Sequence, residues 1–311
     1  MAIGPAAPVR DPDRFAPVFV LAPARSYTSV ISMMLGQHPQ LVGLPELKLF
    51  AYPTMAELEA SLPRFWIERG LTHRAPGLVR ALAEFLFDGQ TPAALTAARS
   101  WLRARASWSG ADVLDCLLAR LAPRIAVEKS PETVETGAAL ERAAAFYPQA
   151  RYLHLTRHPL ATQRSIAQHL DRIAPGSGQR DQPMAGVAAW YETHRLILRF
   201  AATLPAARYR RVSAEAVLND PVAQLGAVAG WLGLRTDPEA IAAMRHPEHS
   251  PFARLAPAES GVAGGNDPAF LRDPIPHAVP IERGLDPPPG WSAGPSAWER
   301  VVILARYLGY S

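Results

Sequence analysis

Cysteine is almost missing from this 311-residue chain, with Cys116 as the single example. A lone cysteine makes no internal disulfide, and Cys116 lies in an apolar helical pattern that reads as core rather than as a nucleophile. Lysine is nearly as scarce. Only Lys48 and Lys129 occur among 32 Lys and Arg residues, so nearly all the cation is guanidinium and the two ammonium groups stand out. No Lys/Arg-rich run occurs, which removes the electrostatic footprint of a nucleic-acid binder. No apolar run approaches the ~18 to 20 residues that span a bilayer. The first such run, Val18 to Ala22, is short and follows a Pro/Asp/Arg-rich leader, unlike a secretory signal. A cytoplasmic protein that binds neither nucleic acid nor membrane is the expectation. No His/Cys/Asp cluster with ligand spacing is seen, so no metal is expected. Charged residues make up 19% and hydrophobic residues 49%, enough for a packed core.

What is present is an alternation of short apolar runs with helical patterns. Residues 1–16 read as a disordered or loosely attached tail, and residues 17–311 as a single domain. Pro17 to Leu21 suits a buried parallel strand. After a polar turn, Val30 to Leu35 forms a helix that Gly36 and His38-Pro39 end. Residues 54–122 are Ala/Leu/Arg-rich and read as a helical insertion, with helices over Val79–Phe87, Pro92–Trp108 and Asp112–Leu121. Further strands are expected at Ile125–Val127, Arg151–Leu155 and Tyr209–Val212. This order predicts an α/β fold, a P-loop-like parallel sheet flanked by helices. Residues 250–295 are dense in Pro and Gly and read as a functional loop segment. With the insertion, it is expected to wall an acceptor pocket through Trp66, Phe252, Phe270 and Trp291, each of which also suits core packing.

Four clusters carry chemistry. The turn Pro23-Ala24-Arg25-Ser26-Tyr27-Thr28-Ser29 offers a bidentate cation, three hydroxyls and a following helix N-terminus, the parts of an anion site. An ordinary N-cap by Ser26 or Thr28 is the alternative. Arg157 precedes a helix that opens at Pro159, with Ser165 about two turns along, an arrangement that can hold a second phosphate. Arg157 paired with a carboxylate is the alternative there. In Pro45-Glu46-Leu47-Lys48-Leu49-Phe50 the charges alternate with leucines, so an extended chain would place Glu46 and Lys48 on one side. That pair reads as a base and a charge stabiliser, or as an edge-strand salt bridge. Lastly, Lys129 follows a strand, as do Arg25 and Arg157. Three cations just past three strand ends predict one anionic-ligand crevice, where open α/β sheets bind ligands. His154 and His38 read as structural.

Together these motifs resemble the sulfotransferases that use 3′-phosphoadenosine-5′-phosphosulfate (PAPS), over residues 17 to about 231. The first turn is similar to the family's Pro-Arg-Ser-Gly-Ser/Thr-Thr loop, implying that Arg25, Ser26, Tyr27, Thr28 and Ser29 hold the 5′-phosphosulfate. Arg157-His158-Pro159 with Ser165 resembles the Arg and Ser of the 3′-phosphate site. Glu128-Lys129-Ser130-Pro131 resembles a motif of bacterial members. The Glu46 region resembles the Pro-Glu-Leu-His-Leu of polyketide assembly-line members, and Asn266-Asp267-Pro268-Ala269-Phe270-Leu271 resembles a late loop of that group. The resemblance implies sulfuryl transfer from PAPS, leaving 3′-phosphoadenosine-5′-phosphate (PAP), to a small-molecule, carrier-bound or carbohydrate acceptor. It implies Glu46 as general base and Arg25, Lys129 and Lys48 as charge stabilisers. Tyr27 stands where the family usually has Gly, implying a reshaped loop, and Lys48 replaces a His. Ser213-Ala214-Glu215 stands for the usual Tyr-Glu-Asp, and the Arg-Lys-Gly motif of cytosolic members is missing. Two rival functions remain at this point. A P-loop kinase would show magnesium-dependent ATPase activity, although its loop lysine is missing. A binding module would bind PAP without transfer.

Overall fold

The computed structural model describes every residue except 1–5, 8, 65–72, 174–182, 258–261 and 263. Trp66 therefore lies outside the described residues. The short apolar runs form strands because each is bounded by turn residues and buried on both faces. Strand β1 is Val18–Leu21, followed by helix α1 (Thr28–Gly36) and β2 (Leu41–Gly43). Helices α2 (Met55–Ala60), α3 (Pro76–Leu86), α4 (Pro92–Arg103) and α5 (Gly110–Leu121) fill the segment before β3 (Ile125–Glu128). Next come α6 (Gly137–Phe146), β4 (Arg151–Thr156), α7 (Pro159–Ile173), α8 (Pro183–Ala201) and β5 (Tyr209–Ser213). Helices α9 (Ala214–Asn219), α10 (Pro221–Trp231), α11 (Pro238–Ala243), α12 (Pro268–Arg272) and α13 (Pro295–Leu308) complete the chain.

The sheet is parallel throughout, in the order β2-β3-β1-β4-β5. Its two faces carry separate cores, as the alternation of side chains in β1 requires. Phe19 and Leu21 face a core shared with α3 to α6, while Val18 and Val20 face one shared with α9 and α10. Phe19 stacks on Tyr152 at 5.8 Å and meets the Phe50 ring edge-on at 5.5 Å, tying β1, β4 and the Glu46–Phe50 loop together. Within the leader, Arg10 bonds Asp115 at 2.6 Å and lies over the Phe146 ring at 4.8 Å.

Two expectations change. Leu41–Gly43 is an additional edge strand, pairing with Ile125–Val127. Helix α4 stops at Arg103 rather than reaching Trp108. The chain turns there because Arg105 stacks on Trp101 at 3.9 Å, Trp108 packs edge-on against Trp101, and Ala106 O and Trp108 O accept the amides of Ala56 and Met55. Among the described residues no helix is long and apolar enough to cross a membrane.

Candidate active site

Arg25, Lys129 and Arg157 follow β1, β3 and β4, three adjacent strands with β1 in the middle. The sheet order reverses around β1, which is where such sheets open a crevice at their carboxyl ends. A cavity of about 690 Å³ lies there, lined by Arg25, Tyr27, Ser29, Arg157 and Ser165 together with Asp267, Ala269, Phe270 and Arg272 of the late segment.

The first turn is built on two left-handed residues, Arg25 (φ 69°) and Tyr27 (φ 57°). Each costs roughly 1–2 kcal/mol for a residue with a Cβ, and such turns bring successive N–H groups to one concavity. Tyr27 has the backbone shape that a glycine adopts freely, so the ring changes the surroundings of the loop rather than its path. Neither Ser26 nor Thr28 caps α1: Tyr27 occupies the capping position and supplies no side-chain acceptor. The amides of the helix's first turn are thereby available to an anion. Ser26 Oγ is fully buried and has no partner among the described residues. A buried orphan hydroxyl beside a helix N-terminus fits an anionic oxygen.

Arg25 reaches both sides of the cavity. Its Nε donates to Ser165 Oγ at 3.2 Å, and its Nη1 pairs with Asp267 at 2.6 Å. Burial alone would raise the Asp267 carboxyl, but the Arg25 charge overrides it and holds the acid below its usual range. Arg157 Nη2 donates to the Tyr27 hydroxyl at 3.0 Å, Nη1 donates to the Arg25 carbonyl, and the guanidinium lies 4.0 Å over the Tyr27 ring.

Lys129 is 1% exposed and donates to Glu46 Oε1 at 2.8 Å, Ser29 Oγ at 3.0 Å and Asn266 Oδ1 at 3.3 Å. These bonds join the first turn, the Glu46 loop and the late loop at one ammonium. Glu46 keeps a partly exposed side chain, and its backbone is clamped. Its amide donates to Gly265 O at 2.7 Å, and a Cβ on Gly77 would meet Glu46 O at 2.3 Å. The expected side-by-side placement of Glu46 and Lys48 does not occur. Lys48 is left-handed (φ 59°), so the loop is not an extended strand. Lys48 Nζ turns to Glu132 at 2.7 Å, while its amide donates to Ser130 Oγ at 2.8 Å. Ser130 also bonds Glu128, whose carboxyl burial pushes up to about 7 against the opposing pull of Ser130 and Lys129.

Sequence reasoning passed over several residues at the cavity. Gln168 and Arg172 line it from α7, and Arg272 from α12. The spacing from Ser165 to Gln168 and Arg172 puts them on one helix face, a signal that could have found them. His169 follows Ser165 by one turn. Burial first, then the Arg25 and Arg172 charges, hold its imidazole below the usual histidine range against Asp267 and Glu46. Asp267 lies in the late-loop stretch that the sequence singled out, but its pairing with Arg25 has no local signal, because it depends on that loop folding back onto α1. Of the aromatic residues expected at an acceptor wall, Phe270 lines the cavity, while Phe252 is fully buried and Trp291 packs against Trp298. Among the described residues, one group of metal-type ligands, His246, Glu248 and His249, lies apart from the cavity lining, with His246 bonded to Glu248 at 2.9 Å.

The profile of the sulfotransferase family matches residues 17–238. The fold is similar to the sulfotransferase domain from the curacin biosynthetic pathway, at TM-score 0.73 and 21% identity over 96% of this chain and 99% of that one. It is also similar to the sulfotransferase domain from the Synechococcus PCC 7002 olefin synthase, at TM-score 0.68 and 26% identity over 97% and 98%. Among curated proteins no sequence match was found.

Proposed function

The chain belongs to the sulfotransferase family as a PAPS-dependent enzyme, and from that premise we propose that it moves a sulfuryl group to an acceptor hydroxyl or amine with Glu46 as general base. PAPS supplies the sulfuryl group on its 5′-phosphate, and PAP is the product. The observation that carries the proposal is Lys129, whose ammonium holds Glu46 and Ser29 of the first turn together. A base and an anion site joined through one buried cation match a reaction in which a proton leaves the acceptor as negative charge builds on the leaving phosphate.

In this reading Glu46 Oε2 takes the acceptor proton, because Lys129 already occupies Oε1. The acceptor oxygen or nitrogen forms its bond to sulfur as the bond from sulfur to the bridging oxygen breaks. That electron pair departs with the 5′-phosphate. The amides at the start of α1, Ser26 and Arg25 take up charge on the 5′-phosphate, and Lys129 takes it up on the bridging and sulfuryl oxygens. Arg157 and Ser165 hold the 3′-phosphate at the other end of the cavity. Lys48, held by Glu132, supports the loop that carries Glu46. Sulfuryl transfer replaces the kinase reading, and the loop contains no lysine to serve a nucleoside triphosphate.

The acceptor class proposed is a small or carrier-bound molecule, as suits a chain similar in fold to domains of biosynthetic assemblies. Phe270, Ile275 and Val279 give the cavity an apolar stretch against which such a molecule can lie. The test is release of PAP from PAPS across an acceptor panel, by wild type and Glu46→Gln. Loss of the base is expected to lower turnover by about a hundredfold or more, while PAP binding persists. Full turnover by Glu46→Gln with every acceptor overturns the assignment.

A further inference from the structure

Tyrosine is a costly choice for position 27. Its φ of 57° is left-handed, a conformation that glycine adopts without a steric penalty. A residue persists in such a conformation when its surroundings over-determine it, and the excess of contacts points to what it does. The ring packs in part against the core beneath α1, and its hydroxyl bond and cation–π contact both lead to one side chain, Arg157. The Arg157 guanidinium carbon lies over the Tyr27 ring, 4.0 Å from its centroid, well within cation–π range. The hydroxyl accepts a hydrogen bond from Arg157 Nη2 at 3.0 Å. Arg157 Nη1 donates to the carbonyl of Arg25, the other left-handed residue of the turn. Arg157 Nε is buried, and the Arg157 carbonyl is held by Trp190 Nε1 at 2.8 Å.

The consequence is geometric. An arginine side chain has many rotamers, and ordering it on binding an anion normally subtracts from affinity. Arg157 is ordered beforehand, with one face covered and one N–H of each terminal nitrogen already used. Each Nη carries one further N–H beyond these bonds, and Arg157 lines the cavity together with Ser165.

We infer that Tyr27 is a positioning residue for Arg157 and thereby sets the enzyme's selectivity for nucleotides that carry a 3′-phosphate. The inference rests on the reading that Arg157 and Ser165 hold that phosphate. It assigns the tyrosine a role that glycine, lacking both ring and hydroxyl, could not perform.

The test compares PAP with adenosine 5′-phosphate, which lacks only the 3′-phosphate, by calorimetric titration of wild type, Tyr27→Phe and Tyr27→Gly. Tyr27→Phe keeps the fold, the backbone and the ring, and removes only the bond to Nη2. It is expected to weaken PAP binding by about tenfold, the usual worth of a hydrogen bond to a charged group, with adenosine 5′-phosphate affinity changed by less than about twofold. Tyr27→Gly is expected to lower the PAP preference further. In an Arg157→Lys background, which has no bidentate fork to position, Tyr27→Phe is expected to add nothing. A purely structural tyrosine would instead weaken both nucleotides equally and lower the melting temperature. If both variants retain the wild-type preference for PAP, the inference is overturned and the cofactor reading stands. If wild type itself does not prefer PAP, both are overturned.

Discussion

Asp267 is the residue whose position says most about how the site is held before a nucleotide arrives. Its carboxylate pairs with Arg25 at 2.6 Å, and its amide donates to Ser29 Oγ at 3.0 Å. It thus neutralises the cation that a 5′-phosphosulfate would need, and a carboxylate beside an incoming anion repels it. Asp267→Asn removes the charge yet keeps an oxygen to cap α12, where Asp267 Oδ1 accepts the Ala269 amide at 2.8 Å. The variant is expected to bind PAP about three- to tenfold more tightly in a calorimetric titration, the scale of one charged hydrogen-bond partner. Weaker binding would show that Asp267 orients Arg25 productively rather than competing for it. The aspartate's position in the Asn266-Asp267-Pro268 stretch was visible in the sequence. Its bond to a residue more than two hundred positions earlier was not, because no local pattern encodes the return of the late loop.

Elements succeed or fail here by close approach. Helix α3 packs its Gly77 against the backbone of Glu46, and Gly265, bonded to the Glu46 amide, also packs on Gly77, where a Cβ would meet Gly77 Cα at 2.6 Å. Gly77→Ala would place a methyl 2.3 Å from Glu46 O, so helix and loop must separate. The expected result is a loss of roughly 1–3 kcal/mol in urea unfolding, together with a fall in turnover as Glu46 is displaced. PAP binding should persist, since the first turn and α7 are untouched. Unchanged turnover would mean that the position of Glu46 has slack. The strands and helices around this joint were largely legible, because β1, β3 and β4 are bounded apolar runs, α3 and α5 carry clear periodicity, and α1 is a buried apolar run closed by Gly36. The extra strand Leu41–Gly43 was not, being three residues long, and the end of α4 was set by Trp101, Arg105 and Trp108 packing rather than by a breaker. Glu46 and Lys48 were legible as a charged pair, but alternation alone gave the wrong geometry because Lys48 is left-handed.

At the scale of the molecule, the parallel sheet converts scattered cations into one site. Arg25 and Arg157 are far apart in sequence and line one cavity because β1 and β4 are neighbours, while the buried Lys129, past β3, touches that cavity's wall through Ser29. The nearness of Arg25 and Arg157 could be read from strand-end position alone, whereas the burial of Lys129 and its loop-to-loop bonds required the fold. The sheet also buries a histidine pair: His154 bonds the Tyr209 hydroxyl at 2.6 Å and His194 at 2.8 Å. Burial first, with Arg211 adding to it, lowers the His154 imidazole from 6.5 to about 3, and His194 moves the same way. The unfolded chain therefore binds more protons than the folded one between those values. Stability from this pair is fully present above about pH 6.5 and is lost as the pH falls toward about 3. The melting temperature is expected to drop on acidification through that window, with a shallower slope for His154→Gln. An equal slope in the variant would place the acid sensitivity elsewhere.

The crevice at the ends of β3, β1 and β4 is proposed as a PAPS site shaped for sulfuryl transfer. A crystal structure of the protein with PAP tests it most directly. The 5′-phosphate is expected on the first amides of α1 and on Ser26 Oγ, the 3′-phosphate between Arg157 and Ser165, and Glu46 facing open space beyond the 5′-phosphate. PAP bound elsewhere, or bound with its 3′-phosphate away from Arg157, would contradict it.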